Sequence, residues 1–108
     1  MDLANKHCVP CAVGCKKLSH EEIKKFMPEL PGWMVFNLAK LHKEFSFANF
    51  KESLDFVNKV GELAEAEGHH PAILILYNKV RINVTTEAMG GLSENDFILA
   101  AKIDRLSI

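Results

Sequence analysis

Glu65-Ala66-Glu67-Gly68-His69-His70-Pro71, followed directly by Ala72-Ile73-Leu74-Ile75-Leu76-Tyr77, sets the terms for the rest of the chain. Two adjacent histidines stand between a segment of helical period and an apolar run. Gly68 is suited to the left-handed conformation that closes a helix. Pro71 removes a backbone donor and drives His70 toward extended backbone. The pair is therefore expected at a helix-to-strand corner, its two rings pointing in different directions. Unperturbed imidazole changes charge near neutral pH, so two of them on a constrained corner suggest proton transfer.

Outward from the corner, the upstream segment 49–67 repeats Phe50, Leu54, Val57, Val60, Leu63 and Ala64 at three- and four-residue steps, which predicts an amphipathic helix capped by Asn49. Downstream, 72–77 and 80–86 read as two strands joined at Asn78-Lys79 by a primed turn. The run Ile73–Leu76 does not alternate, which predicts a strand buried on both faces and a subunit contact over one of them. Residues 87–91 form a loop. Ser93-Glu94-Asn95-Asp96 is a capping box that opens a last helix burying Phe97, Ile98 and Ala101.

Toward the beginning, 33–38 and 41–47 read as a second strand pair, with Leu41, Phe45 and Phe47 on one face and Lys43 interrupting it, a mark of an edge. Ser19-His20-Glu21-Glu22 is a capping box for a short helix that stops before Pro28 and Pro31-Gly32. The order α-β-β-α-β-β-α predicts an α+β fold, a four-stranded antiparallel sheet with three helices on one face. Residues 1–17 have no period and are expected as a poorly ordered arm before a domain over 18–108.

That arm holds Cys8, Cys11 and Cys15. A Cys-x-x-Cys can bind zinc or do redox chemistry, but structural zinc takes four ligands and there is no second such pair. Incidental thiols are the preferred reading. An odd cysteine count is no disulfide framework, so a reducing cytoplasmic setting is expected. A net charge of −1 gives no basic footprint for nucleic acid or an anionic membrane. No apolar run approaches the roughly 20 residues of a membrane span. The 48% hydrophobic and 25% charged content is that of an ordinary globular domain.

Glu65 lies four residues before His69 on the same helical face and is placed to orient that ring for general acid or base work. Two surface histidines, or a metal site, would present the same spacing. Spacing alone leaves these open.

A resemblance separates them. Glu65-x-x-x-His69-His70-Pro71, with Tyr77-Asn-Lys-Val-Arg-Ile82, Gly91-Leu-Ser-Glu-Asn-Asp96-Phe97 and Ala100-Ala-Lys-Ile-Asp104 in order behind it, resembles the signature of the pterin-4a-carbinolamine dehydratases. Leu30-Pro-Gly-Trp33 and Phe56-Val-Asn-Lys-Val60 are similar too, so the likeness runs over about residues 18–105. It implies dehydration of a 4a-hydroxytetrahydropterin to the quinonoid dihydropterin, recycling a pterin cofactor, with no metal or cofactor of the enzyme's own. It implies the same fold and association into homodimers or homotetramers. His69 and His70 match the family's paired catalytic histidines, with Glu65, Pro71 and Asp96 at substrate-binding positions. The family's third histidine falls ten residues after Tyr77, where this chain has Glu87, expected as a weaker acid that lowers activity or favours one epimer. Gly68 stands where the family often has an acid. A second expectation is a non-catalytic binding, scaffold or dimerisation protein on this fold, with 49–67 as its working surface.

Overall fold

The computed structural model describes residues 3–9, 16–86 and 90–106. The elements are α1 (His20–Phe26), β1 (Met34–Phe36), β2 (Lys40–Ser46), α2 (Phe50–Glu67), β3 (Ala72–Leu76), β4 (Lys79–Val84) and α3 (Glu94–Leu106), with single 3-10 turns at Leu3–Asn5 and Met27–Glu29. The strands pair antiparallel in the order β1-β2-β4-β3, giving the expected α+β fold.

Alternation defines the two sheet faces. Leu41 and Phe45 of β2 and Val80, Ile82 and Val84 of β4 point inward and are buried. Opposite them α3 contributes Phe97, Ile98, Leu99, Ala100 and Ile103, and α2 contributes Phe56 and Val60. Met34, Phe36, Leu74 and Leu76 lie on the other face and are exposed. Two of the three expected N-terminal caps form as read, with Ser19 and Glu22 exchanging bonds at α1 and the Asn49 side chain accepting from the Glu52 amide at α2, whereas at α3 only Asp96 reaches back to the Ser93 amide and the Ser93 hydroxyl bonds Thr86 instead.

Four local expectations are corrected. Lys43 marks no edge, because β2 is bonded to both β1 and β4. Its Nζ lies 2.8 Å from Asp104 on α3 and 4.9 Å over the Phe45 ring, so the charge on the inner face is paired rather than solvated. The buried stripe of α2 runs through Ser53, Phe56, Val60 and Ala64, and Phe50 and Leu54 are exposed. Ser53 reads as polar, yet its hydroxyl donates to the Asn49 carbonyl and can be buried.

Strand β3 is not buried on both faces. It is an edge strand whose Ile73 and Ile75 half-bury against the helices, while Leu74 and Leu76 stay 50% and 41% exposed. Its hairpin turns at Tyr77-Asn78, one residue earlier than expected. Leu76 pairs with Lys79, and Tyr77 itself takes the positive φ of 55°.

Residues 3–9, expected within a loose arm, instead lie strapped across α3. Leu3 is buried in the core, Lys102 Nζ donates to the Ala4 carbonyl at 3.0 Å, and Lys6 pairs with Glu94 at 2.8 Å. Val9 and Asn95 exchange two bonds, and the Cys8 amide donates to Glu67 at 2.8 Å. Each bond joins residues distant in sequence, which local periodicity does not register. This strap explains why α3 is buried on nearly every side of its first two turns, where a surface helix would show one apolar stripe. Cys11 and Cys15 lie outside the described residues.

Candidate active site

The corner is built by the end of α2. Gly68 sits at φ 68° and ψ 24°, its amide donating to the Glu65 carbonyl, and the His69 amide donates to the Ala64 carbonyl. This pairing satisfies the last helical carbonyls and swings the chain off the helix axis. Pro71 then leads into β3. Past the left-handed Gly68 the two imidazoles point apart, as expected, one inward and one outward.

His69 turns inward. Its side chain is 12% exposed, and Nε2 lies 2.6 Å from Oδ1 of the fully buried Asp96. His70 turns outward, 60% exposed, with Nε2 2.6 Å from Oε1 of Glu65. Each histidine therefore has its own carboxylate, and a contact that short to a carboxylate oxygen needs a proton between the atoms. That proton sits on Nε2 in both rings and leaves Nδ1 with the basic lone pair in the neutral form. Among the described residues, no partner takes His69 Nδ1.

This corrects the assignment of Glu65 to His69. A four-residue spacing brings side chains together only while the helix continues, and Gly68 ends it one residue too soon. Asp96, read above both in a capping box and at a substrate-binding position, meets the start of α3 with one oxygen and His69 with the other. Oδ2 accepts from the Ser93 amide and from Thr86 Oγ1, each at 2.8 Å, and Oδ1 faces His69. Thr86 and Ser93 are missed by sequence reasoning. The capping box hints at Ser93, but no local pattern links Thr86 to an aspartate ten residues on. Pro71 is half-buried beside the pair, and Glu87 lies outside the described residues.

Beside Glu65 a shallow groove opens between α2 and β3, lined by Val57, Asn58, Gly61, Glu62 and Ile73. Behind the site, burial first and the nearby Glu67 and Asp96 carboxylates next push the Cys8 thiol up to about 12, so it stays protonated and unreactive at neutral pH. Burial alone would raise Glu67, but the Cys8 amide, His7 and Lys102 outweigh it and hold that carboxyl below its usual range. Among the described residues no group of three or more His, Cys, Asp or Glu side chains is arranged to hold a metal ion, and no helix is long and apolar enough to cross a membrane.

A four-stranded sheet under three helices, with two carboxylate-backed histidines at a helix–strand corner, defines the α+β class of this chain. The chain belongs to the pterin 4 alpha carbinolamine dehydratase family, which it matches over residues 16–106. A protein of Rubrobacter xylanophilus, provisionally named a pterin-4-alpha-carbinolamine dehydratase, is 49% identical over 105 residues, covering 97% of this chain and 98% of its own. One from Alkaliphilus metalliredigens with the same provisional name is 48% identical, covering 96% and 95%. Among solved structures, a transcriptional coactivator/pterin dehydratase from Brucella melitensis superposes with a TM-score of 0.81 at 26% identity, over 86% of this chain and all of that one. A pterin dehydratase-like protein identified as a RuBisCO assembly factor of the alpha-carboxysome gives 0.61 at 25% identity, over 73% and 93%.

Proposed function

We propose that this chain dehydrates a 4a-hydroxytetrahydropterin to the quinonoid dihydropterin and water, recycling a pterin cofactor. The observation that carries the reading is the pair of histidines, each held at 2.6 Å by its own carboxylate, within a chain of this family. The reaction removes the proton from the ring nitrogen beside the carbinol carbon. The carbon–oxygen bond breaks as the hydroxyl takes a proton, and the nitrogen's electron pair closes the double bond. No electrons enter or leave, so the chemistry asks only for a base and an acid. His69, with Nδ1 basic, suits the base, and His70, in the imidazolium form with a second proton on Nδ1, suits the acid that meets the departing hydroxyl at the surface. Glu65, Pro71 and Asp96 shape and orient the site. A cytoplasmic setting, where cysteines stay reduced, fits this reading.

Glu87 occupies the position of the family's third histidine, and we assign it the weaker protonation of one epimer. The test is the ultraviolet absorbance of synthetic carbinolamine epimers against the uncatalysed background. Wild type should accelerate both, one less efficiently, and Glu87→His should raise turnover of the poorer epimer. Background rates from folded protein would sink the proposal, and equal, fully efficient turnover of both epimers would remove the role given to Glu87.

Exposed Leu74 and Leu76 on the edge strand, with Phe50 and Leu54 on α2, support a homodimer or homotetramer. Sedimentation at micromolar concentration should show it, and a monomer there counts against it. The same α2 surface, together with the assembly-factor structure this chain resembles, favours a second reading as a non-catalytic scaffold. Co-purification of a stoichiometric partner by a protein that leaves the carbinolamine at its background rate would select it.

A further inference from the structure

We propose that Thr86 is a positioning residue for the His69–Asp96 pair, acting through the second oxygen of Asp96; the inference rests on the dehydratase reading above. Thr86 lies two residues past β4 and directly precedes Glu87 in sequence. Its amide donates to the Gly91 carbonyl at 3.0 Å in an isolated bridge, which ties Thr86 to the segment leading into α3. Its hydroxyl faces inward, where Thr86, Ser93 and Asp96 are all buried.

The direction of every bond in this cluster follows from one fixed donor. The Ser93 amide can only donate, so Asp96 Oδ2 is an acceptor there. Thr86 Oγ1, 2.8 Å from the same oxygen, donates its proton to it. That leaves the Thr86 oxygen to accept from Ser93 Oγ, also 2.8 Å away. The chain runs from Ser93 through Thr86 to Asp96, with His69 donating from the other side at Oδ1. Two donors on Oδ2 stop the carboxylate from rotating. Its free oxygen is therefore always turned to His69, and the imidazole keeps its proton on Nε2. Groups that orient a histidine's partner are typically worth about 10–100-fold in activity.

Thr86→Val keeps the shape and removes the hydroxyl. It leaves Oδ2 with one donor and the Ser93 hydroxyl without its acceptor. Nitrogen-15 NMR of the whole protein reads the His69 tautomer directly. Wild type should show the Nε2-protonated form alone and Thr86→Val a mixture, with kcat about tenfold lower and KM within roughly twofold. Thr86→Ser should recover most of the lost turnover. An unchanged tautomer with unchanged kcat in folded Thr86→Val overturns the inference. If the valine variant fails to fold, wild type still decides. The Thr86 hydroxyl proton should resist exchange and show a cross-peak to Ser93, and a freely exchanging hydroxyl overturns the role. Should wild type leave the carbinolamine at background, the dehydratase reading fails, and the tautomer measurement alone still judges Thr86.

Discussion

Asp96→Asn lowers turnover by about 10³–10⁴-fold, the scale on which the wrong histidine tautomer disables a comparable carboxylate–histidine pair. The physical reason lies in the Ser93 amide. As a fixed donor it demands an oxygen, so the asparagine amide turns its carbonyl to Ser93 and Thr86 and its NH2 group to His69. Nε2 must then accept, the ring proton moves to Nδ1, and the nitrogen proposed as base is lost. Stability falls as well, by about 2 kcal/mol, as charge-assisted bonds in a buried site become neutral ones. Steady-state turnover beside urea unfolding measures both. A folded Asp96→Asn protein within a few-fold of wild-type turnover would show that His69 needs no orienting partner.

His69→Ala and His70→Ala both lower turnover, by about 10²–10⁴-fold, but they separate in stability. His69 is nearly buried, and its removal leaves Oδ1 of Asp96 facing a hole without a donor, which costs about 1–3 kcal/mol. His70 and Glu65 are both mostly exposed, and their pairing at the surface adds little. His70→Ala should therefore unfold within about 0.5 kcal/mol of wild type while losing its activity. Denaturation midpoints beside turnover of the two variants distinguish the roles. Unchanged turnover in His70→Ala would remove the outer histidine from the mechanism.

The element order, the caps at Ser19 and Asn49, the left-handed Gly68 and the divergence of the two rings were all legible, because each depends on neighbours in sequence. The errors have separate origins. Lys43 resembled an edge residue because its partner, Asp104, lies on a helix that starts far along the chain. Glu65 was matched to His69 by a helical rule that stops applying where Gly68 ends the helix. Ser53 was passed over for burial because nothing in the letters shows that its hydroxyl is satisfied by its own helix. Asp96 was half legible through its capping box. Thr86 was not legible at all, since only the folded sheet brings it to the start of α3. The family resemblance supplied what spacing could not, the alternatives of surface pair and metal site being equal in their local pattern.

The strap over α3 has a consequence in the order of synthesis. Ala4 is held by Lys102, 98 residues later, and Val9 by Asn95. A nascent chain makes the first partner of these contacts at the outset and the second only near the end. Until residues 94–106 have left the ribosome, Leu3 has no helix to cover, and Val80, Ile82 and Val84 have only the α2 side of their packing. Closing so long a loop adds little entropy cost over a shorter one, since that cost grows only with the logarithm of length. Timing is the greater constraint. This domain cannot ripen from front to back as it is made, and its half-built sheet spends translation with part of its apolar face uncovered, where chaperones act.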